Sequence, residues 1–344
     1  MAKPSEKREK QLPALGDRQR ELLRAVIREY IATAEPVASA ALVRRYAFGL
    51  SSATVRNELA ALEEMGLLTH PHTSAGRVPT DLGYRYFIES LMPRPSLRAD
   101  EQVTVSHQFQ QALSSTTEWL RLAASTLARL TAEAAIVTPP STARAALKHV
   151  EAVPITDRRV LLVAVFEGGA VHQQVVDLHE PVTTERLRRI SARLTAASGK
   201  PEVGTEGGVE TQIASALARL LGEHDLALPD VYYDGIQNIL AQPEFAARDS
   251  IRDVVRLLED RTRLATILPQ QLGAGEVRVA IGSEHQLEPL RGLSLVFGRY
   301  GGEGDVVGYI GIVGPTRMDY ARSIGAVRYV GSLMSDLVRV MEGE

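Results

Sequence analysis

"LSSATVRNELAALEEMGLLTHPHTSAGRVPT", residues 50–80, holds a helical pattern followed by a Gly- and Pro-punctuated ribbon. At 100° per residue, Val55, Leu59, Leu62 and Met65 share one stripe of a helix, and Ala53, Arg56, Asn57, Ala60 and Glu64 share the other. A helix face selected for solubility alone carries long charged side chains throughout. This one sets small Ala53 and Ala60 around Arg56 and Asn57. Small side chains let a helix approach a surface closely, and Arg and Asn carry forked hydrogen-bonding groups that match guanine and adenine edges in the major groove. Ser51, Ser52 and Thr54 crowd the N-terminus, where hydroxyls and free backbone N–H groups hold a phosphate or cap the helix. Glu63 and Glu64 mark the end that points away from a polyanion.

After Gly66, a C-cap candidate, two extended pieces flank Ser74-Ala75-Gly76, the spelling of a hairpin. Arg77 is expected at its tip, in reach of backbone phosphate or the minor groove, with Thr73, Ser74 and Thr80 as neutral phosphate donors. His70 and His72 have no third ligand nearby and read as hairpin side chains rather than a metal site. Upstream, Leu22, Leu23, Val26, Ile27, Tyr30 and Ile31 recur at helical spacing from Asp17, and a shorter helix fits from Ser39 to Tyr46. Downstream, a helix follows from Asp81 through Tyr84, Phe87 and Leu91. Three helices, the third so polarised, and then a hairpin describe a winged helix-turn-helix that reads double-stranded DNA.

The wider composition agrees with that reading and removes competitors. The chain has 344 residues, 44% hydrophobic and 24% charged, with a net charge of −3. Residues 1–98 hold 15 Lys and Arg against 11 Asp and Glu, and the rest hold 24 against 31, so a basic front end precedes an acidic body. With no cysteine, a thiolate zinc site, a cysteine nucleophile and a thiol redox sensor are excluded. No paired carboxylates, nucleophile motif or metal cluster stands out, so neither catalytic residues nor a cofactor is expected. The N-terminus lacks the apolar centre of a signal peptide and no apolar run reaches membrane-spanning length, which predicts a cytoplasmic protein with a charged, disordered tail.

Beyond Pro93 and Pro95 a long helical stretch, marked by Phe109, Leu113, Leu120, Leu127 and Leu130, runs toward "TPPSTARAA". "LKHVEAVPI", "RRVLLVAVF" and "AVHQQVVDL" then read as strands, with a turn at Glu167-Gly168-Gly169. Helices are predicted over 183–197, 209–224 and 233–267, and strands over 277–282, 293–300 and 306–313, before a last helix from Asp319. Strands, a helical interlude and further strands describe one antiparallel sheet domain carrying an insertion.

"EPVASAALV", "SSATVRNELAALEEMGLL", "HTSAGRVPTDLGYRYFIESLM", "YYDGIQNILAQPEF" and "GYIGIVGPTRMDYARSI" occur in this order, and together the chain resembles the family of the heat-inducible transcription repressor HrcA. The resemblance implies an α+β multidomain fold: an N-terminal winged helix-turn-helix, and a GAF-like antiparallel sheet domain with an inserted α-rich dimerising domain. It also implies a repressor of chaperone operons that binds an inverted repeat, CIRCE, as a homodimer and depends on the GroE chaperonin. The expected division is a tail over 1–14, the winged helix over 15–93, a linker over 94–100, the GAF-like domain over 101–179 and 233–344, and the dimerising insertion over 180–232. The DNA-binding set carried over is Ser51, Ser52, Ala53, Thr54, Arg56, Asn57, Thr73, Ser74, Gly76, Arg77 and Thr80. Where the family commonly has Pro-Val-Gly-Ser-Lys, this chain has Pro36-Val37-Ala38-Ser39-Ala40, which removes a basic side chain that Arg44 and Arg45 are placed to replace.

A second reading makes the protein a metabolite-responsive regulator with an effector site in the GAF-like domain. Gly308, Gly311 and Gly314 precede the "PTRMDY" helix, where a strand-to-helix turn can hold an anion. The same glycines also suit a strand that simply turns tightly. "SGKP" is not a phosphate loop, because Leu194 and Pro201 occupy positions that require Gly and Ser or Thr. Arg317 and Asp319 read as braces between domains.

Overall fold

The structure is a computed structural model, described here for residues 12–46, 48–71, 76–111, 115–142, 147–166, 171–197, 208–226, 231–245, 272–273, 275–285, 287–302 and 306–342. The chain begins with α1 (Asp17–Thr33), α2 (Ser39–Arg45) and α3 (Ser52–Glu64), followed by an antiparallel pair, β1 (Leu68–Thr69) and β2 (Val78–Pro79). The predicted stripe is the buried one: Leu22, Leu23, Val26 and Ile27 of α1 enclose Leu42 of α2 and Val55, Leu59 and Leu62 of α3. Helix α3 stops at Gly66, which adopts a φ of +74°. The Gly66 N–H donates to the Glu63 carbonyl at 2.8 Å and the Leu67 N–H to the Leu62 carbonyl at 3.0 Å, so two otherwise unpaired carbonyls are satisfied as the chain reverses into β1.

Thr80 then caps α4 (Asp81–Tyr86), which runs on as one π turn over Phe87–Leu91. Most of the expected tail, 1–11, lies outside the described residues, but Leu12 packs partly buried on this core and Leu15 is buried. The stretch expected as a linker over 94–100 packs against the fold. Leu97 is buried, and α5 (Ala99–Gln111) starts inside it.

Helix α6 (Thr116–Thr131) ends at Ala132, a non-glycine residue with a φ of +57°, and β3 (Ala134–Val137) follows at once. This strand falls where only helix was expected, and it is central in the sheet. With β4 (Ser141–Thr142), β8 (Tyr232–Asp234), β9 (Val277–Ile281), β10 (Leu293–Gly301) and β11 (Val306–Pro315), it forms a wholly antiparallel sheet of order β8-β3-β11-β10-β9, with β4 on β11. Alternation puts Ala135, Val137, Val296, Ile310 and Ile312 under α6 and α10 (Tyr320–Glu342). Ala134, Ile136, Leu295, Phe297 and Val313 face the other side, against Ile239 of the short α9 (Ile236–Leu240) and Phe245.

The strands over 147–177, expected to join that sheet, instead form one of their own: β5 (Leu147–Pro154), β6 (Arg159–Phe166) and β7 (Val171–Asp177). One face of it packs on α7 (Thr184–Ala196) and α8 (Val209–Leu226) in a core separate from the rest. The physical reason is reach. Val150, Ala152, Val160, Leu162, Ala164 and Phe166 find their apolar cover in the helices that immediately follow, so the strands and those helices close on each other before the interrupted sheet resumes at β8. The predicted helix over 233–267 begins as this strand and the short α9, and its part over 246–267 lies outside the described residues. Three helices and a hairpin thus sit on a mixed α/β body whose sheets are antiparallel, and they share a single hydrophobic core with it.

Candidate nucleic-acid interface

Helix α3 presents the face that its spacing predicts. Ser51 stands at its N-cap, with Oγ accepting the Thr54 N–H at 3.1 Å and lying 2.9 Å from Thr54 Oγ1. Ser52 and Thr54 are half-buried, and Ser51, Ala53, Arg56, Asn57 and Glu64 are exposed. Neither Arg56 nor Asn57 makes a side-chain hydrogen bond or ion pair to a described residue, so both keep their full donor and acceptor capacity for a ligand. Glu58 is taken up by Arg18 at 3.5 Å. The exposed end of α3 therefore combines free backbone N–H groups, three hydroxyls, a small residue and two unsatisfied forked side chains. That set can hold phosphate and read base edges.

The hairpin is arranged differently from its sequence expectation. Thr73, Ser74 and His72 lie outside the described residues. Arg77 does not stand free at a tip: its Nε donates to Glu63 at 3.2 Å, and its side chain is 18% exposed. His70 Nδ1 meets the other oxygen of Glu63, so one carboxylate at the end of α3 holds both arms of the hairpin. Backbone pairing extends this, because Val37 and Arg77 exchange N–H···O bonds of 2.9 Å in each direction. Gly76 is needed for that pairing, since a Cβ there would stand 2.4 Å from the Val37 carbonyl carbon. Thr80 is occupied too, with Oγ1 donating to the Gly66 carbonyl at 2.6 Å and accepting the Gly83 N–H at 3.0 Å. Gly76, Arg77 and Thr80 fix the hairpin against α3, and the α3 residues supply the open face.

Of the two cations placed to replace the missing basic residue near α2, Arg45 pairs with Glu29, while Arg44 is exposed. Sequence reasoning did not identify Glu63 as the residue that positions the hairpin. Its only signal was an acidic residue in the last turn of a helix whose spacing reads as DNA-facing.

The glycines considered as an effector site are filled from across the sheet. A Cβ on Gly308 would stand 2.2 Å from the Tyr300 ring, one on Gly311 2.1 Å from the Phe297 ring, and one on Gly314 2.3 Å from the Glu133 carboxylate. Tyr300 and Phe297 are the cross-strand partners of Gly308 and Gly311, so these two glycines make room for large neighbours. The turn after them ends in Asp319, whose Oδ1 accepts the Arg322 N–H at 3.1 Å at the start of α10 and occupies that end with a carboxylate. Among the described residues no group of His, Asp and Glu could hold a metal ion, and no helix is long and apolar enough to cross a membrane.

Residues 117–324 match the family described as "HrcA protein C terminal domain". The heat-inducible transcription repressor HrcA of Roseiflexus castenholzii is 43% identical over 345 residues, covering 96% of each chain. That of Herpetosiphon aurantiacus is also 43% identical over 345 residues, covering 96% of this chain and 97% of its own. A crystal structure of a hypothetical protein at 2.2 Å resolution, 22% identical, superposes with a TM-score of 0.58 over 95% of this chain and 99% of that one, which shows a shared fold. On that family match and those identities over nearly its whole length, the chain belongs to the HrcA family of heat-inducible transcription repressors.

Proposed function

We propose that the chain represses chaperone operons by binding a CIRCE-type inverted repeat as a homodimer, each protomer docking α3 in the major groove as the recognition helix of a winged helix-turn-helix. The observation that carries this reading is the polarity of α3: Val55, Leu59 and Leu62 are fully buried while Ala53, Arg56 and Asn57 are exposed without a described partner. Arg56 and Asn57 read bases, and Ser51, Ser52 and Thr54 position the helix on phosphate. Thr73 and Ser74 meet backbone from the hairpin that Gly76, Arg77 and Thr80 shape.

One such helix contacts too few bases to select a site in a genome, and a two-fold pair solves this with a symmetric site. The unit over 147–226 supplies the pairing surface in this proposal, taking the role expected for the inserted dimerising domain, with the sheet of β3, β4 and β8–β11 as the GAF-like domain. The outward face of β5–β7 supports it. Val153, Leu161 and Val175 lie side by side across the three strands, as do His149, Val165 and Val171, and Val153, Val171 and Val175 are exposed.

Selection of DNA from a random pool by the full chain tests the proposal, and the expected product is an inverted repeat that also footprints at a chaperone promoter. On that duplex Arg56→Ala should cost about 1–3 kcal/mol, with little change on random DNA. Recovery of sequences without dyad symmetry, or equal losses on both duplexes, would reject it.

A further inference from the structure

The segments "YYDGIQNILAQPEF", 232–245, and "GPTRMDY", 314–320, have no part in α3 or the hairpin. In the structure they meet each other, and they meet the DNA-binding head. Arg317, with its side chain 13% exposed, pairs through Nε with Glu244. Its Nη2 donates to Glu244 Oε2 at 3.2 Å and to Gln242 Oε1. The remaining nitrogen, Nη1, donates to the Ile31 carbonyl at 3.4 Å. That carbonyl belongs to the last turn of α1, where the helix itself provides no partner. One guanidinium therefore joins the loop after α9, the turn before α10 and the end of the helix on which α3 packs.

A second tie stands on the other side of the junction. Asp81 Oδ2 accepts the Ser283 N–H at 2.8 Å, and Arg85 donates to Glu284 Oε1 at 2.8 Å and to the Val279 carbonyl at 2.9 Å. Between the ties the rings of Tyr84 and Tyr320 lie 5.6 Å apart. A head tethered only through Pro93 and Pro95 would sample many orientations, and each would have to be narrowed when DNA binds. In a dimer engagement of the second half-site is intramolecular, and fixing the head beforehand removes the ordering cost of that step.

We propose that Arg317 is a positioning residue for DNA binding: its bonds to the Ile31 carbonyl and Glu244 set the angle at which α3 leaves the body, so that both heads of a dimer meet the two half-sites of one repeat together. The proposal rests on the dimer and inverted-repeat reading above. Its consequence is selective. Loss of Arg317 weakens binding only where both heads must engage.

The test compares affinity for the full repeat selected by the wild-type chain with affinity for a duplex in which one half-site is scrambled. For Arg317→Ala the full-repeat affinity is expected to fall at least tenfold and the half-site affinity less than twofold; Arg317→Lys, which keeps the charge but not the fork, should lose most of the same ratio. If Arg317→Ala does not fold, Glu244→Gln keeps the shape and carries the same comparison. A readout without DNA comes from the absence of native cysteines, which allows spin labels at Glu64→Cys and Arg328→Cys, diluted into unlabelled chain. The distance distribution should be narrow in the otherwise wild-type background and shifted or broadened with Arg317→Ala, because the tie through Asp81 and Arg85 and the shared core remain. Equal losses on both duplexes, or an unchanged distance distribution, would overturn the role of Arg317. A wild-type chain with no preference for the full repeat over the half-site would instead overturn the reading of the previous subsection, and the spin-label distances would then decide the role of Arg317 alone.

Discussion

Arg317 faces two carboxylates, and the structure treats them differently. Glu244 takes the guanidinium directly, whereas Glu133 is buried and has an oxygen with no hydrogen-bond partner. Burial pushes the Glu133 carboxyl up to about 8 from 4.5; the Arg317 charge opposes the shift and the Glu244 charge adds to it. A neutral carboxyl answers the problem of leaving a charge in an apolar site. The sign of the linkage follows. The folded chain keeps a proton that the unfolded chain releases above about 4.5, so this group's contribution is present below that pH and is lost as pH rises to about 8. The slope approaches about 1.4 kcal/mol per pH unit for one proton. Glu133→Gln preserves the neutral shape and should flatten the dependence of Tm on pH between 5 and 8, with a higher Tm than wild type at the alkaline end. Parallel Tm–pH curves for the two proteins would show that Glu133 ionises normally in the folded state.

The elements differ in how far they could be read from sequence, and the difference is physical. Helix α3 was legible because its two faces obey one period and its N-cap, Ser51, is local. The partnership of Glu63 with His70 and Arg77 was not, since it exists only once the hairpin folds back over the end of α3. Strand β3 was hidden for another reason: Ala134–Val137 is a short apolar run directly after an apolar helix, and the left-handed turn between them falls on Ala132 rather than on a glycine. The strands of β5–β7 were read correctly as strands, but the sheet they join depends on which helices cover them, and spacing along the chain does not encode that. Their outward face carries its own prediction. Leu161 of the central strand lies between Val153 and Val175 with no described core behind them, so a second copy of the sheet is the cover that the proposed dimer provides. Val175→Lys places a charge in that patch without touching the buried face, where Val176 sits. Sedimentation should show the variant as a monomer with an unchanged Tm for its own core, and a variant that remains dimeric would place the interface elsewhere.

Taken along its whole length, the chain postpones its most consequential pairings. Val137 of β3 pairs with Ile310 of β11, and the complete β5–β7 unit with α7 and α8 lies between them in sequence. Closing so long a loop costs entropy before any strand contact repays it, and sheets built from distant segments fold slowly through states that expose apolar edges. The head cannot escape this delay. Its core is continuous with the sheet, and the ties at Arg317, Asp81 and Arg85 all require residues beyond 240. In the proposed dimer, competence to bind DNA with both heads aligned would therefore come last in folding, at the step where heat and competition for a chaperonin would act. We propose that a repressor built in this way reports stress through its own folded fraction: when other clients fill GroE, fewer chains would mature and chaperone genes would be released. Chain refolded from denaturant with GroE and ATP should recover several-fold more full-repeat binding than chain refolded alone, while already folded protein gains nothing from the same treatment. Spontaneous refolding that yields the same active fraction at low and at high temperature would mean that the late closure of β3 on β11 does not limit this protein, and that stress reaches the repressor by a route other than its folding.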